Sequence, residues 1–172
     1  MIEIVQADRG MIREVLHNLR EDDMLEMLAA GANLNTLPEA LMRHRVFAFC
    51  ACEWDYGPIS VWGMTQHRPG VGGGFAFGTA RWGMVLLPML RQIRQFVLPF
   101  LLQSGFHRVE AAALARRTDV ARFMALIGAK PEGLLQSYGT GGEDFISYRW
   151  LADEHTSRKV SREKANGCYA AH

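Results

Sequence analysis

Residues 108–133 read Arg-Val-Glu-Ala-Ala-Ala-Leu-Ala-Arg-Arg-Thr-Asp-Val-Ala-Arg-Phe-Met-Ala-Leu-Ile-Gly-Ala-Lys-Pro-Glu-Gly. Arg108–Leu114 fits a central strand, although its three alanines would also suit a helix. Thr118 is placed to cap a helix over Asp119–Ile127, and Gly128 is placed to end it. The following Pro-Glu-Gly opens another extended segment. Strand, helix, strand over so few residues is an α/β unit.

The chain upstream changes period. Leu86–Leu102 is one long apolar helix with Pro88 near its start, and Gly105 stops it. Pro99 lies inside it, where proline costs about 3 kcal/mol unless the helix kinks or breaks. Before it come Arg45–Trp54, Ile59–Thr65 and Phe75–Thr79, three strands in succession. Asp55-Tyr56-Gly57-Pro58 supplies the first turn, and Pro69-Gly70 with Gly72-Gly73-Gly74 the second. Antiparallel pairing as a meander is expected. At the front, Ile2–Gln6 alternates as a strand, Asp8 caps a helix from Met11, Asp23–Ala30 ends at Gly31, and Leu37–His44 is a further helix. Downstream, Glu143–Leu151 is the last strand. The expected division is one domain over 1–152 and a polar tail over 153–172 that lacks core material.

Bulk properties exclude several functions. With 172 residues, 49% hydrophobic and 22% charged, the chain suits one domain that buries roughly 70% of its unfolded surface. A net charge of +1 gives no general argument for nucleic acid, and the tail alternates basic with acidic residues. The three cysteines include Cys50 and Cys52, which point the same way on a strand and are poorly placed to bridge each other. No C-x-x-C pair occurs and the six histidines are scattered, so no metal site is expected. The start shows no secretory signal. The apolar run Gly83–Leu102 is broken by Arg91, Arg94 and two prolines, so no membrane span is expected.

The order strand, helices, meander, long helix, strand, helix, strand resembles the GNAT superfamily of N-acetyltransferases. Residues 108–133 resemble that family's strand, its "N-x-x-A-x-x-(aromatic)-x-x-x-G-F" helix and its "x-E-G" strand, with Ala121, Phe123 and Gly128 on matching positions. The resemblance implies an α/β (α+β) fold with a mixed, mostly antiparallel sheet flanked by helices. It also implies that the strands at Phe75–Thr79 and Arg108–Leu114 separate to admit acetyl-CoA. In this reading Phe77, Gly78 and Thr79 would hold the pantetheine arm, Arg81 and Gly83 the pyrophosphate, and Thr118 stands where the family has asparagine. Departures accompany these matches. The family's R/Q-x-x-G-x-G/A turn is replaced by Gly78-Thr79-Ala80-Arg81-Trp82-Gly83-Met84, with shifted glycines and an added indole, and the family's acidic tyrosine is replaced by Met124.

Three further features, Ile-Glu-Ile-Val followed by residues 18–23, Trp82, and the F-M-x-x-x-G-A helix, are similar to a divergent GNAT-like branch that includes internal virion proteins of short-tailed phages. That similarity implies a virion or host-cytoplasmic protein acting as a structural module, with no cofactor and with partner subunits met through the tail 153–172. The alternative is an active acetyl-CoA-dependent N-acetyltransferase. For it the candidate catalytic groups are Glu110 and Glu53 as bases and Tyr138 as acid. Each has a plain structural reading beside it. Glu53 suits a solvated hairpin end, Tyr138 a packing residue, and Glu110 either a buried base or polar surface.

Overall fold

The computed structural model describes residues 1–154. The chain runs β1 (Ile2–Gln6), α1 (Arg9–His17), α2 (Glu21–Ala29), α3 (Leu37–His44), β2 (Arg45–Glu53), β3 (Gly57–Arg68) and β4 (Val71–Gly78). It continues through a 3₁₀ turn (Trp82–Met84), α4 (Leu86–Gln92), a π-helical turn (Ile93–Val97), α5 (Leu98–Gln103), β5 (Arg108–Leu114), α6 (Thr118–Ile127), β6 (Lys130–Leu135) and β7 (Phe145–Leu151). One seven-stranded sheet has the order β1-β2-β3-β4-β5-β7-β6. Every neighbouring pair is antiparallel except β4–β5. The expected mixed, mostly antiparallel α/β architecture is therefore present. β7 ends at Leu151, residues 152–154 are helical, and residues 155–172, most of the expected tail, lie outside the described residues.

Helices cover both faces of the sheet. On one, Ile12, Val15 and Leu16 of α1 and Leu41 of α3 bury against Ala48, Cys50, Val61 and Phe77. On the other, Met89, Ile93, Val97 and Leu101 of the long helical run bury against Ala51, Trp62, Met64 and Trp150. Local chemistry sets several boundaries. The Asp8 carboxylate accepts from the Met11 amide at 2.8 Å, the N-cap that starts α1. Gly128 takes φ 83°, a left-handed turn that ends α6 without strain.

Three local expectations are corrected. Gly72, Gly73 and Gly74 form no turn; they lie inside β4, paired with Gln66, Thr65 and Met64 of β3 respectively. A Cβ on Gly72 would lie 2.3 Å from the Met64 sulfur, and one on Gly73 would lie 2.1 Å from the His67 ring. Glycine at position 72 is favoured by the buried Met64 side chain packed across the strand, whereas the exposed His67 ring can move aside from position 73. Thr118 does not cap α6. It is the first helical residue, Arg117 occupies the cap position, and no side chain caps the helix. The single helix expected over Leu86–Leu102 is divided: a π-turn over Ile93–Val97 precedes Pro99, and the Leu98 amide donates to the Ile93 carbonyl. The wider turn re-phases the backbone so that Pro99 falls in the first turn of α5, where no amide donor is needed.

The two strand cysteines are free thiols with sulfurs 3.7 Å apart, and burial pushes both up from the usual thiol range. No helix among the described residues is long and apolar enough to cross a membrane. Among the described residues, no group of three His, Cys, Asp or Glu side chains is placed to hold a metal ion.

Candidate functional site

β4 and β5 stay together for only three residue pairs: Val71 with Arg108, Gly72 with Val109, and Gly73 with Glu110. Beyond Gly73 the two strands part. β5 remains in register with β7 up to Leu114–Phe145, and β4 with β3 to Gly78–Ser60. The sheet therefore contains a V-shaped gap between Gly74–Gly78 and Ala111–Leu114. A cavity of about 930 Å³ runs through this gap and reaches both faces. On one face it meets α2 and α3 at Asp23, Glu26 and Leu37. On the other it runs between the α4–α5 helical run and α6. Its walls along β5 are Ala111, Ala112 and Ala113, so the strand offers backbone and methyl groups there.

The wide end of the V is tied by α2. The Gly78 amide donates to Asp23 Oδ2 at 2.8 Å, and the Leu114 amide donates to Glu26 Oε2 at 2.9 Å. These are the last residues of the two diverging strands, so α2 supplies each with the acceptor its neighbour would otherwise give. Arg117, only 5% exposed, binds the two carboxylates together. Its guanidinium donates to Asp23 at 3.0 Å, to the Asp22 carbonyl at 3.0 Å and twice to Asp119 at 2.8 Å, and lies 3.6 Å from Glu26. Burial opposes this cation, but the Asp119 hydrogen bonds, the Glu26 charge and the Asp23 hydrogen bond outweigh it and raise its pKa. The Arg117 hydrogen bond pulls Asp119 down to about 2. Burial raises Glu26 above the usual carboxylate range, against the pull of the Leu114 amide and Arg117. Glu26 thus lines the cavity as a carboxylate biased toward holding a proton.

Tyr148 lies on β7 opposite Ala111 and lines the cavity midway along the V. Burial, and then the Glu26 charge, raises its phenol above the usual range. It therefore stays a proton donor throughout the neutral range.

The turn leaving β4 spends part of its backbone on itself. The amides of Trp82, Met84 and Val85 donate to the carbonyls of Thr79, Arg81 and Trp82, and the Arg81 amide to the Thr79 hydroxyl. The amides of Gly83, Leu86 and Leu87, at the start of the long helical run, have no acceptor within the described protein. A Cβ on Gly83 would meet nothing within 4 Å. The Trp82 ring lies against Gly78, edge-on to Phe123 at 6.3 Å and under the Arg20 guanidinium at 4.8 Å.

The residues singled out from the sequence fall in different places. Phe77 and Gly83 line the cavity, Gly78 sits at its α2 end, and Thr79 is fixed by its amide bond to Ile59. Arg81 does not line it. Its guanidinium is 3.4 Å from Glu53 and stacks on Tyr56. Glu53 is therefore at the outer hairpin with Arg81, away from the cavity. Tyr138 is exposed on the β6–β7 connection and packs edge-on to Phe145. Glu110 lines the closed end of the V, but its carboxylate is held by Arg108 at 2.6 Å. Thr118 is exposed at the start of α6.

Asp23, Glu26, Arg117 and Tyr148 are the site residues that sequence reading missed. The brace joins groups 94 residues apart, and its only signal was an acidic run, Glu21-Asp22-Asp23, with Glu26 one turn on.

No family model matches this sequence, and no curated protein matches it. Solved structures match it closely in shape. An N-acetyltransferase from Staphylococcus aureus superposes with a TM-score of 0.67 at 15% identity, over 88% of this chain and 99% of that one. A GNAT-superfamily phosphinothricin acetyltransferase from Sinorhizobium meliloti, solved with AcCoA, gives 0.67 at 11% identity, over 87% and 88%. A spermidine N-acetyltransferase from Vibrio cholerae, solved with CoA and spermine, gives 0.65 at 12% identity, over 88% and 96%. The chain has the fold of the GNAT-type N-acetyltransferases.

Proposed function

We propose that this protein binds an acyl-CoA in the gap between β4 and β5 and transfers its acyl group to an amine. The carrying observation is that β4 and β5 separate after Gly73–Glu110 and leave a cavity open to both helical faces. One ligand can then enter beside α4 and α6 while another approaches from α2. The residues present fit such a donor. The open edges of β4 and β5 suit an extended amide-containing arm, and the Gly83, Leu86 and Leu87 amides at a positive helix end suit a diphosphate.

When bound, the donor supplies a carbonyl activated as a thioester. The chain's own groups do the rest. Glu26 takes a proton from the acceptor nitrogen on the α2 side, its raised pKa placing it nearer the working pH than an ordinary carboxylate. Tyr148 donates a proton to the departing sulfur, the role for which Met124 offers no group. Arg117 and Asp23 hold Glu26 and the strand ends at a fixed separation.

The test is turnover with acetyl- and longer acyl-CoAs over a panel of primary amines, read as released thiol and as acylated amine by mass spectrometry. Product that falls at least tenfold in Glu26→Gln supports the assignment. Absence of product with every donor and amine counts against it.

A second reading has its own observation. Trp82 fills the turn after β4, and Arg81 is engaged by Glu53 rather than facing the cavity. This favours a GNAT-fold structural or interaction module of the phage virion or assembly type, with a degraded acyl-CoA site, located in a virion or host cytoplasm and joined to other subunits. The partner surface first expected for it, the tail 153–172, lies almost wholly outside the described residues. Co-sedimentation with phage particles, together with no CoA binding at millimolar concentration, would favour this module over the enzyme.

A further inference from the structure

We propose that the acceptor taken on the α2 side of this site is a primary monoamine carried on an aromatic body, an inference that rests on the acyl-CoA reading above. The part of the cavity that opens on the α2–α3 face has an apolar wall whose side chains are not closed into the core. Met27 of α2, Leu37 of α3 and Phe75 of β4 line it and are half-buried, resting on the buried cluster that holds Leu41 and Phe77. Ala30 at the end of α2 and Ala112 of β5 line it as exposed methyl groups. Phe75 pairs with Gly63 of β3, and a Cβ on Gly63 would lie 2.6 Å from the Phe75 ring. The ring thus occupies the space a side chain there would take and lies low on the sheet. Phe77 extends this aromatic surface, its ring centroid 6.2 Å from that of Phe75 and the two planes 25° apart.

The carboxylates of the lining are Asp23, Glu26, Glu110 and Asp119. Three of them are taken up by guanidinium groups. Asp23 and Asp119 are both bound by Arg117 and Arg20, and Glu110 is held by Arg108 at 2.6 Å. Glu26 differs. It meets the Leu114 amide and Arg117 through Oε2 alone, and its Oε1 has no hydrogen-bond partner among the described residues. Around the brace, three carboxylates (Asp23, Glu26 and Asp119) stand against two guanidiniums (Arg20 and Arg117), which leaves one negative charge in excess. The pocket therefore offers one acidic oxygen to one nitrogen, beside a wall that is apolar and aromatic.

An aromatic ring that carries its amine to Glu26 can cover Phe75, Met27 and Leu37 at once, removing apolar surface from water on both partners. A small polar amine leaves that wall wet. A polyamine brings its second ammonium against the wall, where no unpaired carboxylate receives it and desolvation opposes binding. The same inventory disfavours an acidic acceptor, whose negative charge would meet the excess charge around Glu26.

The experiment follows backbone ¹⁵N–¹H shifts of the purified chain, titrated first with CoA and then, with CoA present, with 2-phenylethylamine, ethanolamine or spermidine. The proposal predicts saturable amine-dependent shifts at Met27, Ala30, Leu37, Phe75 and Ala112, with 2-phenylethylamine at least about tenfold tighter than either of the others. Ethanolamine or spermidine binding as tightly, amine shifts confined to residues away from these, or no amine binding at all would overturn it while leaving the acyl-CoA reading intact. No response to CoA at millimolar concentration in the first titration would instead overturn the acyl-CoA reading. Phe75→Leu should cut the preference for 2-phenylethylamine over ethanolamine at least about threefold. Ala112→Phe, which fills the same space from an exposed position, is the second variant should the first not fold. A folded variant with an unchanged preference would also overturn the proposal.

Discussion

Replacing Arg117 with methionine removes the cation that holds α2 to the ends of β4 and β5. The side chain is 4% exposed and its partners Asp23 and Glu26 are 5% and 19% exposed. Methionine matches its length but leaves Glu26 without a counter-charge and Asp23 with Arg20 alone, 2.8 Å away. Breaking a buried pair in this way costs about 3–5 kcal/mol, whereas an exposed pair would cost under about 1 kcal/mol. For a domain of this size that loss lowers Tm by roughly 10 °C. The penalty should also depend on pH. Glu26 already has a raised pKa in the folded protein, and loss of Arg117 removes one of the influences that lower it. A carboxylate whose folded pKa lies above its unfolded value destabilises the native state once ionised. That cost is fully present above the folded pKa and disappears as pH falls below the unfolded value, near 4.3. Urea unfolding of wild type and Arg117→Met at several pH values between 4 and 8 would show the difference widening with pH. A difference below about 1 kcal/mol, or one that does not change with pH, would refute the idea that Arg117 neutralises a buried acidic pair.

Other perturbations follow from the same geometry. Gly72→Val drives a side chain into Met64 and should cost about 1–3 kcal/mol in denaturant unfolding, whereas Gly83→Ala meets open space and should stay within about 0.5 kcal/mol. Gly83→Glu, which puts a carboxylate where a diphosphate is proposed to sit, should weaken CoA binding at least tenfold in calorimetry. Arg81→Ala, which loses only an outer pairing with Glu53, should change it less than threefold. Tyr148→Phe should lower kcat about 100-fold with little change in KM for the donor, and the loss should show in steady-state thiol release.

How much of this was legible beforehand depended on how local each cause is. The strand Ile2–Gln6, the Asp8 cap, the helix Leu37–His44 and the strand Arg108–Leu114 were readable because periodicity and capping act over a few residues. Gly72–Gly74 misled, since glycine marks a turn and a crowded strand equally well, and only Met64 on the neighbouring strand decides between them. Pro99 flagged an irregularity in the long helix but not its form, because a π-turn five residues long carries no sequence mark of its own. The site divided along the same line. Phe77, Gly78 and Gly83 were found by position in a family pattern, and the structure places them at the gap. Arg81 and Glu53 were each considered separately, and it is their pairing with one another that turns Arg81 from the cavity. Tyr148 and the Arg117 brace depend on which strands adjoin and which end opens, and these are properties of the sheet and not of any stretch of chain.

The claim on which the account stands is that the opening between two sheet strands is where the donor's arm lies. Backbone ¹⁵N–¹H spectra recorded during a CoA titration test it directly. The account predicts saturable shifts at Gly74–Phe77, Ala111–Ala113, Gly83, Leu86 and Leu87, at micromolar to submillimolar ligand. Shifts confined to other parts of the chain, or none at millimolar CoA, would contradict it.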